Sequence, residues 1–192
     1  MLISKKEDFV IWTIQYSGPP AVLRHCKKCG RKREYICSGE FRVNAQQKTL
    51  DIWLIYKCAH CNTTWNSRIF SRISPQRLGA ALLERFHAND EALVMQYAMD
   101  IALLQKNGAE IKLPDYQVIG EDVSLERTVS IKIQSQYFLP IKISSILRTK
   151  LNISQREFNM LLLNDRIHIN TGQDLRKGKL TSTDTIFFLK FS

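Results

Sequence analysis

Cys26-Lys27-Lys28-Cys29-Gly30 and Cys58-Ala59-His60-Cys61-Asn62 contain two Cys-x2-Cys pairs with 28 residues between them, and the stretch between decides the fold. Tyr35, Cys37, Gly39, Phe41 and Val43 alternate with Ile36, Ser38, Glu40, Arg42 and Asn44. Leu50, Ile52, Leu54 and Tyr56 then alternate with Asp51, Trp53, Ile55 and Lys57. A period of two marks a half-buried strand, and two such runs around the polar Ala45-Gln46-Gln47-Lys48 predict a hairpin. The hairpin returns the second pair to the first, so Cys26, Cys29, Cys58 and Cys61 can converge on a tetrahedral metal site. Gly30 adopts positive φ freely and Asn62 more readily than most residues, which suits a tight turn after each pair. Lys27, Lys28 and Lys57 offset part of the charge of four thiolates.

Four protein thiolates leave no open coordination position. The expected cofactor is therefore structural Zn²⁺, stabilising a β unit with a thin core. An iron–sulfur cluster or a rubredoxin-like iron is the alternative. His25 and His60 read as exposed turn residues, and Cys37 as a buried, inert thiol on the apolar face of its strand. Of Trp12, Trp53 and Trp65, at least two are expected in the core.

Outward from this hairpin, Asp8 to Gln15 and Thr64 to Ile73 read as further strands of the same unit. Ser74-Pro75 is an N-cap followed by Pro at the first helical position, with Leu78, Leu82 and Phe86 at four-residue spacing. A second helix is expected from Asn89 or Asp90 to Gly108, apolar almost all round, as a core onto which both ends of the chain pack. The β-branched content rises again from Val123 to Ile143. Ile143, Ile146, Leu147 and Leu151 have helical spacing, and Ser154-Gln155-Arg156-Glu157 forms a capping box that starts another helix. An Ile167-His168-Ile169 strand and a last strand, Thr185 to Phe191, follow.

The 192 residues are 44% hydrophobic and 24% charged, which excludes a disordered chain. The net charge of +10 is uneven: 13 basic and 5 acidic residues up to 75, 5 and 9 from 76 to 130, and 10 and 4 thereafter. Two basic ends around an acidic middle point to an anionic partner and to three consecutive units, 1–74, 75–122 and 123–192. No apolar run reaches the ~18 residues of a membrane span, and the short run Phe9 to Ile14 behind Glu7-Asp8 does not make a signal peptide. A cytoplasmic protein with no membrane partner is expected, and in that compartment paired cysteines bind metal rather than forming disulfides.

Residues 24 to 65, with both cysteine pairs and the hairpin, resemble a zinc ribbon, a module that usually binds nucleic acid or proteins. Residues 142 to 186 resemble the S4-type RNA-binding fold of ribosomal proteins and pseudouridine synthases. There Lys142-Ile143-Ser144 stands where the family opens its first helix, and Ser154-Gln155-Arg156-Glu157 where it caps the second. Ile167-His168-Ile169-Asn170 and Thr183-Asp184 match its strand signals in order. The whole chain, through Phe41-Arg42-Val43-Asn44-Ala45 and Leu50-Asp51-Ile52-Trp53-Leu54-Ile55-Tyr56, is similar to a bacterial family known as domain of unknown function 1062.

These resemblances imply an α+β protein with an N-terminal zinc-ribbon β unit, a central α-helical unit and a C-terminal S4-like α/β unit. They imply RNA contacts by Lys142, Arg148, Lys150, Arg156 and Arg166, which can neutralise phosphates. Met160 and Leu163 lie close to Arg156 on the helix, so part of that face is expected to be covered. No nucleotide-binding, zinc-protease or nucleophile-elbow motif occurs, and no carboxylate pair is placed for acid and base work. The expected function is non-enzymatic RNA binding. The alternative is a regulatory factor that docks on an acidic protein or on a transcription or translation component.

Overall fold

The computed structural model describes residues 9–181 and 183–189, which contain ten strands and six helices in two sheets. The contacts divide the chain into two units: Gly18–Asp115, and a second made of the residues up to Ser17 with those from Tyr116 onward. This differs from the expected division at 74 and 122, and the first strand shows why. β1 (Phe9–Tyr16) was expected beside the cysteine hairpin, but its partners lie more than a hundred residues away in the second unit. Alternation along a strand tells which face is buried; it does not tell which strand lies alongside.

The Gly18–Asp115 unit, here the cysteine unit, contains β2 (Ala21–Cys26), β3 (Arg31–Gln46), β4 (Thr49–Cys58) and β5 (Thr64–Ile73). The β3–β4 hairpin is as expected, closing at Gln46 opposite Thr49 around Gln47, whose φ is 54°. One irregularity was not expected. Cys37 pairs with Tyr56 and Phe41 with Leu54, so β3 carries two extra residues opposite Ile55. The shift is even, and Cys37 and Phe41 stay on one face. Gly39 (φ 77°) supplies the left-handed step, and the Ser38 hydroxyl donates to the Ile55 carbonyl (2.9 Å).

The helices that follow are shorter than their apolar spacing predicts. Ser74 caps α1 (Pro75–Leu78), but Gly79 at φ 83° breaks the run before α2 (Ala80–His87). Asp90 caps α3 (Glu91–Ala98) by accepting from the Leu93 amide (2.8 Å). The expected continuous helix then stops at Met99, because Asp100 accepts from the Leu103 amide (2.9 Å) and starts α4 (Ile101–Lys106). A short strand, β6 (Glu110–Lys112), pairs with β2 and completes a sheet of order β5-β4-β3-β2-β6.

Helices α2 and α3 pack on β3, and α4 on β5 and β6. Phe86, Leu93, Leu50 and Ile52 form one cluster; Val22, Tyr35, Leu54, Tyr56 and Leu104 form another. Phe41 bridges the layers, edge-on to Phe86 with ring centroids 4.8 Å apart. The helices are thus the second layer of the cysteine unit, rather than a separate middle on which both ends of the chain pack.

In the second unit β7 (Tyr116–Ile119) runs antiparallel to β1, and β8 (Val129–Ser135) runs parallel to it. Trp12 is fully buried and donates its indole N–H to the Glu121 carbonyl (2.9 Å). α5 (Ile143–Leu151) ends at Asn152 in the left-handed region, and α6 (Gln155–Leu163) starts at the predicted capping box. Both bonds of the box are formed: Glu157 N–H to the Ser154 hydroxyl (3.2 Å) and Ser154 N–H to the Glu157 carboxylate (2.7 Å). β9 (Ile167–Ile169) and β10 (Asp184–Phe188) complete the sheet β7-β1-β8-β10-β9. The expected strand limits at Asp8 and Phe191 lie outside the described residues.

Asp184 enters β10 fully buried, and among the described residues neither carboxylate oxygen has a hydrogen-bond partner. Burial pushes its carboxyl above the ordinary carboxylate range. The protonated form is favoured in the fold, so this residue costs stability as pH rises through and above ~4. Asp184→Asn is expected to raise the thermal midpoint at pH 7, with the difference shrinking towards zero near pH 3; thermal melts at both pH values check it.

Candidate metal centre

Both cysteine pairs sit on turns of the same shape at strand ends. Cys26 is the last residue of β2 and Cys58 the last of β4. The Gly30 amide donates back to the Cys26 carbonyl (2.9 Å), and the Asn62 amide to the Cys58 carbonyl (3.0 Å). Gly30 has φ 66° and Asn62 φ 58°, the left-handed conformations expected of them. Strand β3 holds the two turns in register, since Cys26 lies opposite Arg31 and Cys58 opposite Tyr35.

The four sulfurs of Cys26, Cys29, Cys58 and Cys61 all lie within 4.8 Å of one another. Metal–sulfur bonds of ~2.3 Å at tetrahedral angles place sulfurs about 3.8 Å apart, so the cluster fits a four-thiolate ion. The closest pair, Cys26 and Cys61, is at 3.4 Å, well beyond a disulfide bond of ~2.05 Å. Cys26 and Cys58 are fully buried, and Cys29 and Cys61 partly.

Hydroxyls surround the sulfurs. A hydrogen bond from Tyr35 holds the Cys26 thiol below the usual range, and the Thr63 hydroxyl, 3.1 Å from the Cys61 sulfur, lowers that thiol too. Burial, with the neighbouring sulfurs, pushes Cys29 up to about 12. Four thiolates ionise together only around a cation, and this arrangement is suited to hold one. Tyr35 and Thr63 were missed as sulfur partners. Tyr35 was read only as a core position, although Thr63, two residues past Cys61, was within reach of a local argument.

His25 and His60 are exposed, as expected, with the His60 ring nitrogen Nδ1 3.6 Å from the Cys29 sulfur. Cys37 lies outside the cluster, half-buried rather than fully buried, and burial raises its thiol. Lys57 pairs with Glu40 (2.8 Å), while Lys27 and Lys28 are exposed on the first turn. Trp12 is core, and Trp65 packs on the cysteine unit's core under the Arg24 guanidinium, 4.4 Å from the ring centroid.

The five cations expected to bind RNA do not form one free surface. Lys142, at the N-cap of α5, and Arg156 are exposed. Arg148 donates to the Gln155 side chain (2.8 Å), and Lys150 pairs with Asp122 (2.5 Å) with its side chain 16% exposed. Arg166 donates to the carbonyls of Leu125 (2.6 Å) and Leu189 (3.1 Å). Asp122 and Leu125 stand 28 and 41 residues from their partners, beyond any local pattern.

Among the described residues no helix is long and apolar enough to cross a membrane. Residues 43–173 match the model of a family described as "Protein of unknown function (DUF1062)". The chain matches no curated protein and no solved structure.

Elemental analysis of the purified chain is expected to give one metal ion per molecule. Cys58→Ser is expected to lose it and to unfold the cysteine unit, whereas Cys37→Ser keeps a full equivalent; metal content and circular dichroism of the two variants check this.

Proposed function

The chain belongs to the family described as Protein of unknown function (DUF1062), and we propose that it is a cytoplasmic, non-enzymatic RNA-binding protein held together by structural zinc. The closed set of four cysteine sulfurs carries the reading. All-thiolate tetrahedral coordination suits Zn²⁺, and such a site has no position left for water or substrate, so its contribution is to folding and shape. In this reading the two turns with β3 and β4 are a zinc ribbon. Residues 142 to 186 are an S4-like element, supported by the order α5, α6, β9, β10.

Charge supports an anionic partner. Residues 18–115 carry 15 basic and 9 acidic side chains, and the remainder carries 13 and 9. At the metal end of the sheet Lys27, Lys28 and Arg31 are exposed. These side chains bind phosphates, a contact that carries affinity without reading sequence. Lys142 and Arg156 offer the same chemistry in the S4-like element.

Affinity for a structured RNA measured against salt tests the reading. A slope of log affinity against log salt of about −0.7 to −0.9 per neutralised phosphate is expected. Lys27→Glu with Lys28→Glu is expected to flatten it by about 1.4 to 1.8, with metal content unchanged. Absence of binding at low salt by the metal-loaded protein overturns the proposal. A stoichiometric acidic protein partner that survives nuclease treatment would replace it with the docking reading.

A further inference from the structure

The tryptophan left unexplained is Trp53. Along β4, Leu50, Ile52, Leu54, Tyr56 and Cys58 are buried, while Trp53, Ile55 and Lys57 point to the opposite face and are only half-buried. Trp53 belongs to neither core cluster described for this unit. The register sets an arginine on each side of it: Arg42 of β3 and Arg68 of β5 are both directly opposite Trp53. Both are exposed, and no carboxylate pairs with either among the described residues.

Directly opposite residues share a face, so Arg42, Trp53 and Arg68 form a row across three strands. Ile36, exposed by 47%, lies on the same face opposite Lys57, and Asn66 opposite Ile55. Two acids of these strands have other partners among the described residues, and neither forms an ion pair with Arg42 or Arg68. Glu40 is tied to Lys57, and buried Asp51 accepts from the Arg72 amide (3.0 Å). The helices pack on the other side, against Phe41, Ile52 and Leu54.

We propose that this row is a binding site for single-stranded RNA, with one base stacked on the Trp53 indole and the flanking phosphates held by Arg42 and Arg68. The proposal rests on the RNA-binding reading and assigns it a site that the cysteine motif does not contain. Neighbouring strands lie about 4.8 Å apart, so the two arginine backbones are about 10 Å apart with the indole midway. Flexible guanidiniums at that spacing can bracket one nucleotide. Every base has a π face, so such a platform accepts any unpaired base, whereas bases stacked inside a duplex cannot reach it. The two arginines without acidic partners set the required charge of the occupant, and the indole between them requires a flat ring in it.

The test uses the full-length, metal-loaded protein, a 12-nucleotide oligouridylate and a hairpin duplex of equal length, with tryptophan fluorescence and anisotropy as readouts. The single strand is expected to quench fluorescence, and Trp53→Phe to abolish the quenching while keeping most of the affinity. Trp53→Ala is expected to weaken binding about five- to 150-fold. Arg42→Gln with Arg68→Gln is expected to flatten the salt slope by about 1.4. Metal content and circular dichroism unchanged from wild type show that each variant is folded. If folded Trp53→Ala binds the single strand as wild type does, the site falls and the RNA-binding reading stands. If wild type binds neither RNA, both fall. Equal affinity for the duplex, or a Trp53-dependent complex with an acidic peptide in place of RNA, overturns the site.

Discussion

The pairing of β3 with its two neighbours is the constraint on which the cysteine unit depends. One strand faces Cys26 at Arg31 and Cys58 at Tyr35, so a single register brings both turns to the same place. A slip of one residue would move every β3 side chain to the opposite face and carry Tyr35 away from the Cys26 sulfur. The two-residue irregularity between Cys37 and Phe41 is tolerated because it is even: it bends the strand while Phe41 still meets Phe86. Sulfur geometry and the aromatic contact with the helices are thus two results of the same ladder. The four cysteine sulfurs, which could hold a metal ion, gather at one end of the ladder, and Phe41 ties its middle to the second layer.

Much of this was legible locally. The turns at Gly30 and Asn62, the hairpin about Gln47 and the capping box at Ser154 are each decided by residues within a few positions, and all four formed as read. The α+β class followed from the same patterns. The helix breaks at Gly79 and Asp100 were legible too but were outvoted by apolar spacing that runs on across them. Partners distant in sequence were not legible. Nothing near Phe9–Tyr16 names β8, and nothing near Lys150 names Asp122. For the same reason the engagement of Arg148 and Lys150 was not readable, while the face of α6 expected to be covered is open, with Arg156, Met160 and Leu163 all exposed. Single-residue charge is visible in a sequence; whether a carbonyl 41 residues away has claimed it, as for Arg166, is not.

The sheet of the cysteine unit uses its two faces for opposite purposes. Inward side chains of β4 are mostly large and apolar and meet the helices; the outward ones mix a buried carboxylate, Asp51, with an indole, an aliphatic residue and a lysine. The alternation that predicted the hairpin therefore also sorted Trp53 away from Trp12 and Trp65. Counting tryptophans as core or not core is less informative than asking which parity each occupies. Parity is readable before any coordinates.

The two units are joined by two crossings whose ends are paired on both sides. Tyr16 lies opposite Tyr116 in one sheet, and Ala21 opposite Lys112 in the other. In the second unit, β1 and β7 are thus a hairpin whose turn is the entire cysteine unit, residues 18–115. While that insert is folded, its own strand pair holds the two ends together, and the loop is effectively short. Unfolded, it becomes a free loop of about a hundred residues, and closing the hairpin across it costs about 2 kcal/mol more by loop-closure entropy. An ion bound by the four thiolates would therefore also contribute to the stability of a sheet that contains none of its ligands.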